Sequence, residues 1–316
     1  MEQDREPRES RDALRGRVAE LVDFSVPSSA PDLKVLEERG RDGYNEQLVR
    51  YTSGDRVESP ALLLLPEGEG PFPAVVAYHQ HHSQWHIGKS EVAGLAGDPD
   101  QALGPGLARR GVAVLAPDTI GFEDRRRSRA GTAPGDDDER QYYNEMAYRL
   151  LDGELLMSTI LADGAQAMSV LGQVQGVDRG RIGVVGHSMG GTTALFHGAL
   201  DERVRFVCAS GTAATYRAKM AAGTGIEASL VIPGIRKVAD IDDVATLIAP
   251  RPLLLVSAAE DPYSQDADDI AEHARNTYAA LSAEDALRHV RFSGGHALTK
   301  ERVDLIDEWV LAQSQP

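Results

Sequence analysis

Cysteine is almost absent: Cys208 stands alone in 316 residues, so no internal disulfide can form and a zinc site built on paired cysteines has no material. Long apolar runs are missing as well. No stretch reaches the ~18 apolar residues that a membrane-spanning helix needs, and Met1 to Arg17 alternates Glu, Asp and Arg where a signal peptide would carry an apolar core. Basic residues are outnumbered, 33 Lys and Arg against 49 Asp and Glu, for a net charge of −16. A field of that sign repels phosphate backbones and anionic lipid. Neither nucleic acid nor a membrane is therefore an expected partner, and a reducing, cytoplasmic location is expected. A hydrophobic fraction of 42% with 26% charged residues excludes a collagen, a coiled-coil rod and a fully disordered chain, and leaves enough apolar material for a sizeable core.

Two regions differ in pattern. Residues 1–46 read as an N-terminal helical extension and linker: a frayed start, a short amphipathic stripe (Leu14, Val18, Leu21, Val22, Phe24) and a Pro/Ser segment ending at Pro31. Residues 47–316 read as one catalytic domain. There, short continuous apolar runs (Ala61–Leu65, Ala74–Tyr78, Val112–Ala116, Ile182–Val185, Val204–Ala209, Leu253–Ser257, Val290–Phe292) suit strands buried on both faces. They alternate with helical segments at Gly106–Arg110, Asn144–Val174, Gly190–Leu200, Asp266–Leu281 and Thr299–Ala312. That alternation predicts an α/β fold, a mostly parallel central sheet with helices on both faces. Asp124–Asp138 is expected to be a solvated loop, and about 212–250 an insertion over one edge of the sheet.

The chemical signal is strongest at Ile182–Gly191, where Gly186-His-Ser188-Met-Gly190 follows an apolar run and opens a helix-compatible stretch. A serine thrust out on a tight strand-to-helix turn is strained, its neighbours two residues away must be small, and the helix N-terminus beyond favours a developing oxyanion. A serine hydroxyl needs a base, and the base a carboxylate to fix its tautomer. In this setting the chain order is serine, acid, histidine. Of the four histidines after Ser188, only His296, in Gly294-Gly-His296, sits in a turn just after a strand; His197, His273 and His289 lie in or beside regular elements. Glu260 and Asp261 end a buried strand, and Asp261, stiffened by Pro262, is the preferred acid. The expected catalytic set is thus Ser188, Asp261 and His296, with oxyanion donors from the amide of Met189 and that of Gln80 or His81.

Connections leaving the carboxyl ends of the strands should build the pocket. They supply His81, His82 and Trp85 after Tyr78, Phe122 after Ala116, and Tyr216, Met220, Leu230 and Ile232 in the insertion. Trp85, His82, Phe122 and Tyr216 are the expected substrate contacts, for a small or medium ester. His79, His81, His82 and His86 invite a metal reading, but only His82 and His86 have helical zinc-pair spacing, so no metal and no cofactor is expected. Asp118, Glu123 and Asp124 are expected to form an ion cluster with Arg125 to Arg127.

These residues together resemble an α/β-hydrolase, and within it the dienelactone hydrolase and acetyl xylan esterase-like group. The resemblance runs from about Gln47 to Ala312 and rests on His79-Gln-His-His with Gly88-Lys-Ser-Glu91, Leu115-Ala-Pro-Asp118 followed by Gly121-Phe-Glu-Asp-Arg125, Gly186-His-Ser-Met-Gly-Gly191, Ile248-Ala-Pro-Arg-Pro-Leu253, Glu260-Asp-Pro262 and Gly294-Gly-His296. It implies a serine hydrolase acting on carboxylic esters. Dienelactone hydrolases proper use a cysteine nucleophile, so Ser188 departs from them and argues against dienelactone as substrate. Gln80 after His79 departs from the His-Gly loop of many esterases and implies a narrower pocket. The rival readings are a serine peptidase of the oligopeptidase kind, for whose propeller domain the chain has no room, and a ligand-binding homologue without catalysis.

Overall fold

Nine strands form one sheet in the order β1-β2-β3-β5-β4-β6-β7-β8-β9. The strands are β1 (Lys34–Arg41), β2 (Tyr44–Thr52), β3 (Glu58–Pro66), β4 (Phe72–Tyr78), β5 (Ala113–Pro117), β6 (Val177–His187), β7 (Val207–Ser210), β8 (Leu253–Ala258) and β9 (Leu287–Phe292). A computed structural model describes residues 10–54, 56–127 and 129–315; the frayed start expected at the N-terminus lies outside them. From β5 through β9 every pairing is parallel, while β1, β2 and β3 join antiparallel at one side.

The continuous apolar strands are buried on both faces because successive side chains point to opposite sides. Ala74, Val76 and Tyr78 enter one core and Val75 and Ala77 the other. The first core is covered by α1 (Arg11–Leu21), α5 (Leu156–Leu171), α6 (Met189–Leu200), α8 (Ile241–Thr246) and α9 (Ala267–Ala280). The second is covered by α2 (Lys89–Val92), α3 (Leu103–Arg109) and α10 (Lys300–Gln313), through Val92, Leu107, Ile306 and Trp309. The remaining helices are α4 (Asp138–Asp152) and α7 (Tyr216–Ala222). Side-chain caps fix two entries: Ser10 Oγ accepts from the Ala13 amide at the start of α1, and Thr215 Oγ1 from the Ala218 amide at the start of α7.

Four expectations change. β1 and β2 belong to the sheet, so a boundary between residues 46 and 47 falls inside β2. The residue stretch 144–174 is two helices, α4 and α5, because Gly153 takes a left-handed conformation (φ +80°) that ends the first. The 124–138 segment is not solvated throughout: Arg126 is buried, 2.5 Å from Asp138, and donates to the carbonyls of Gly131 and Ala133. The carboxylates Asp118, Glu123 and Asp124 do cluster, but around Lys89 rather than the arginines, its Nζ lying 2.8, 2.5 and 2.7 Å from them. Arg125 pairs instead with Asp163 and Arg127 with Glu145. The spacing in sequence favoured the near arginines; α2 brings in a lysine from about thirty residues upstream.

Candidate active site

Ser188 sits between β6 and α6 with φ +56° and ψ −121°, a conformation costly for any side-chain-bearing residue. Two close approaches hold it there. A Cβ on Gly186 would lie 2.3 Å from the backbone of Gly190, and one on Gly190 would lie 2.2 Å from the Tyr78 carbonyl oxygen. Only glycine at both positions lets β6, α6 and the end of β4 pass so near one another. The Ser188 amide donates to the Ser210 carbonyl at 2.8 Å, pinning the turn to β7.

The His296 loop leaves the end of β9 and brings Nε2 to 2.8 Å from Ser188 Oγ. On its other side, His296 Nδ1 lies 3.0 Å from both oxygens of Asp261. Asp261, at the end of β8, also accepts from the Tyr263 amide and the Ser264 hydroxyl, both at 2.8 Å. Burial alone would push this carboxyl up, but the hydrogen bond and charge of His296 with these further donors hold it below the ordinary value. Glu260 is exposed. The four candidates Ser188, Asp261, His296 and Met189 are therefore brought together, and of the two acids it is Asp261 that lies against His296.

The chain after β4 runs past the N-terminus of α6, where Met189 is the first helical residue and its amide is one of the donors with no partner inside the helix. Gln80 and His81 follow directly. Their backbone amides have no backbone acceptor among the described residues. Gln80 is buried, its side-chain amide donates to Glu91 at 3.1 Å, and its carbonyl accepts from His79 Nδ1 at 2.8 Å. His79 Nε2 takes the Thr119 amide hydrogen, so both ring nitrogens are used within the protein.

A cavity of about 350 Å³ opens over Ser188 and His296. His81 and His82 line it, as do Met189 and Leu230. The other three expected contacts do not line it. Trp85, Phe122 and Tyr216 are buried behind the wall: Phe122 packs against the rings of His79, His81 and Tyr142, and the Tyr216 hydroxyl donates to the Leu230 carbonyl. They are large aromatics, and burying them against one another removes more apolar area from water than exposing them to the cavity. Of the other aliphatic residues proposed for the insertion, Met220 is exposed and Ile232 lies in the core.

Lining residues that the sequence does not single out include Tyr143 on α4, Tyr263 after β8, and Lys219 and Glu227 in the insertion. The sequence places the insertion at the pocket, but which face of α7 turns inward is set by the Thr215 cap and its hydrogen bonds to Asp266. That places Lys219 inward and Met220 outward. Glu227 joins the insertion to α4 by accepting from the Tyr142 hydroxyl at 2.5 Å. Among the described residues, Asp118, Glu123 and Asp124 are the one group of three ligand-type side chains near enough to share a metal ion, and the Lys89 ammonium already stands between them. No helix among the described residues is long and apolar enough to cross a membrane.

The sequence matches the family model for acetyl xylan esterase (AXE1) over residues 48–213, more than half of the chain. It is 30% identical over 295 residues to a Bacillus subtilis (strain 168) protein that carries a hydrolase name, YtaP, covering 90% of this chain and 93% of that one. The fold is shared with a glucuronoyl esterase from Solibacter usitatus (TM-score 0.66, 15% identity, 95% of this chain and 92% of that one). It is shared too with acetyl xylan esterase 1 from Thermoanaerobacterium sp. JW/SL YS485 (TM-score 0.57, 17% identity, 96% and 94%). The chain is a hydrolase with the α/β-hydrolase fold and belongs to the acetyl xylan esterase family.

Proposed function

We propose that this protein is a serine carboxylester hydrolase that acts on small or medium esters through an acyl-enzyme. The observation that carries the reading is the unbroken run of hydrogen bonds from Asp261 through His296 to the strained Ser188, at the floor of an open cavity. A binding site has no need of a serine held in a costly conformation against a tautomer-fixed imidazole.

In this reading, His296 Nε2 takes the proton of Ser188 as Oγ attacks the ester carbonyl carbon. The oxyanion that forms is held by the amide of Met189 with that of Gln80 or His81. Asp261 keeps the His296 proton on Nδ1 and stabilises the imidazolium without itself taking a proton. The tetrahedral species expels the alcohol, which leaves with the proton from Nε2, and Ser188 is acylated. Water then enters and gives a proton to His296 as it attacks the acyl carbon; the C–Oγ bond breaks to release the acid product, and His296 returns the proton to Oγ.

Substrate size follows from the cavity, which lies at the lower end of the range usual for ligand sites, ~300–1,000 Å³. The family description points the same way, to short acyl groups. The insertion supplies one wall, through Lys219, Glu227 and Leu230. A series of 4-nitrophenyl esters from acetate to laurate tests this. The highest kcat/KM is expected among the C2 to C6 chains, and a clear preference for C12 would contradict it.

A further inference from the structure

Lys219 is the unusual residue of the cavity. It projects from α7, is 5% exposed, and lines the space above Ser188. Among the described residues its ammonium has no carboxylate or carbonyl within bonding distance; its one recorded neighbour is the face of the Tyr263 ring, 5.3 Å away. A buried ammonium left so is expensive, and burial does push its pKa below the ordinary lysine value.

The carboxylates nearest in charge terms are Asp261, Asp266 and Glu227, and each is engaged elsewhere. Asp261 is held by His296 and Ser264. Asp266 accepts from the Thr215 amide and hydroxyl at 2.9 and 2.5 Å. Glu227 accepts from the Tyr142 hydroxyl on one oxygen and from the Ser229 amide and hydroxyl on the other. Each of these carboxylates thus already has protein donors, while the one lysine that lines the cavity has no protein acceptor among the described residues.

We infer that Lys219 receives a carboxylate carried by the substrate, so that the preferred ester has a free acid group beside the scissile bond. The inference rests on the esterase reading above and deepens it. A charge-assisted hydrogen bond on a largely buried side chain is strong and selective. The chain's net charge of −16 opposes an anion at long range, and salt screens that field beyond ~10 Å. Any preference for an anionic ester therefore reports a near contact and not steering.

Two isosteric pairs test it: monomethyl succinate against methyl succinamate, with the acid on the acyl side, and 4-acetoxybenzoate against 4-acetoxybenzamide, with the acid on the alcohol side. In one pair the acid should be preferred by about tenfold or more in kcat/KM at pH 7.5. The ratio should fall close to one in Lys219→Met and persist in Lys219→Arg. The same four compounds, titrated calorimetrically into Ser188→Ala and into Ser188→Ala/Lys219→Met, should show the same gap in affinity and its loss. No preference in either pair overturns the inference. So does a Lys219→Met variant that lowers acid and amide alike, which would mark the lysine as structural. A protein that hydrolyses none of these esters but binds the acid through Lys219 supports the inference and overturns the esterase reading instead.

Discussion

The ring of His187 lies against that of His296, with centroids 5.0 Å apart and planes 35° from parallel. Two imidazoles this close cannot both carry charge cheaply. Burial, with the neighbouring His296, lowers the His187 pKa to about 3, and its Nδ1 is committed to the Ser210 hydroxyl at 2.9 Å. Asp261 is also held below its usual range. Neither group gains a proton between pH 4.5 and 8, so the acid limb of kcat/KM should reflect one group and not two. A plot of log kcat/KM against pH on a neutral ester should rise with a slope of one. A slope approaching two would mean that His187 titrates with it.

The two candidate acids differ in burial. Asp261 is 3% exposed and faces His296, whereas Glu260, one residue earlier, points into solvent. Asp261→Asn should lose on the order of 10⁴-fold in kcat, because an amide stabilises the wrong tautomer and cannot offset an imidazolium. Glu260→Gln should stay within about threefold, since surface changes away from such contacts are mild. Steady-state kinetics on the two variants checks the ranking, and the reverse order would move the acid to Glu260.

Glu91 gives a stability prediction with a definite sign. It is 2% exposed, and burial raises its pKa from 4.5 to about 7 against the opposing hydrogen bond from Gln80. The folded state therefore keeps a proton that the unfolded chain has already released, and stability falls as pH rises from about 4.5 to about 7, then levels off. Glu91→Gln removes the ionisable group while keeping the shape. It should raise the unfolding free energy at pH 8 by an amount on the order of 2–3 kcal/mol and change it little at pH 4.5. Urea unfolding at the two pH values measures this, and equal effects at both would contradict it.

Chelation should leave turnover untouched. The carboxylates best placed for a cation, Asp118, Glu123 and Asp124, already surround the Lys89 ammonium, and no step proposed at Ser188 calls for a Lewis acid. Activity after EDTA treatment and desalting should equal that before. Lys89→Met, by contrast, strands buried carboxylates without their counter-charge and should cost about 3–5 kcal/mol of stability. Loss of activity on chelation, restored only by added metal, would contradict this account.

Much of this molecule could be read from its residues, and the parts that could not have physical causes. β8, most of β4 and the second half of β6 are buried on both faces, so their apolar runs are unbroken. β1 is an edge strand, seven of its eight residues exposed, and Lys34-Val-Leu-Glu-Glu-Arg-Gly-Arg41 carries the charges that keep such an edge from pairing with another chain. Its two apolar residues, Val35 and Leu36, are exposed, and no buried apolar run marks it. The Ser188 turn was legible because its glycines are demanded by backbone contact, a constraint local in sequence. The cavity wall was not. Whether Lys219 or Met220 faces Ser188, and whether Phe122 touches a ligand or backs the residues that do, depends on contacts between segments far apart in the chain.

The account turns on Ser188 as the nucleophile, and covalent labelling tests that most directly. A fluorophosphonate should form one adduct per chain, found by mass spectrometry on the peptide containing Ser188, with ester turnover lost in proportion to labelling. Ser188→Ala should take no label and lose on the order of 10⁴-fold or more in kcat, while keeping its unfolding midpoint, because a half-exposed hydroxyl in a turn adds little to packing. Labelling at another residue, or a Ser188→Ala protein that keeps most of its activity, would contradict the account.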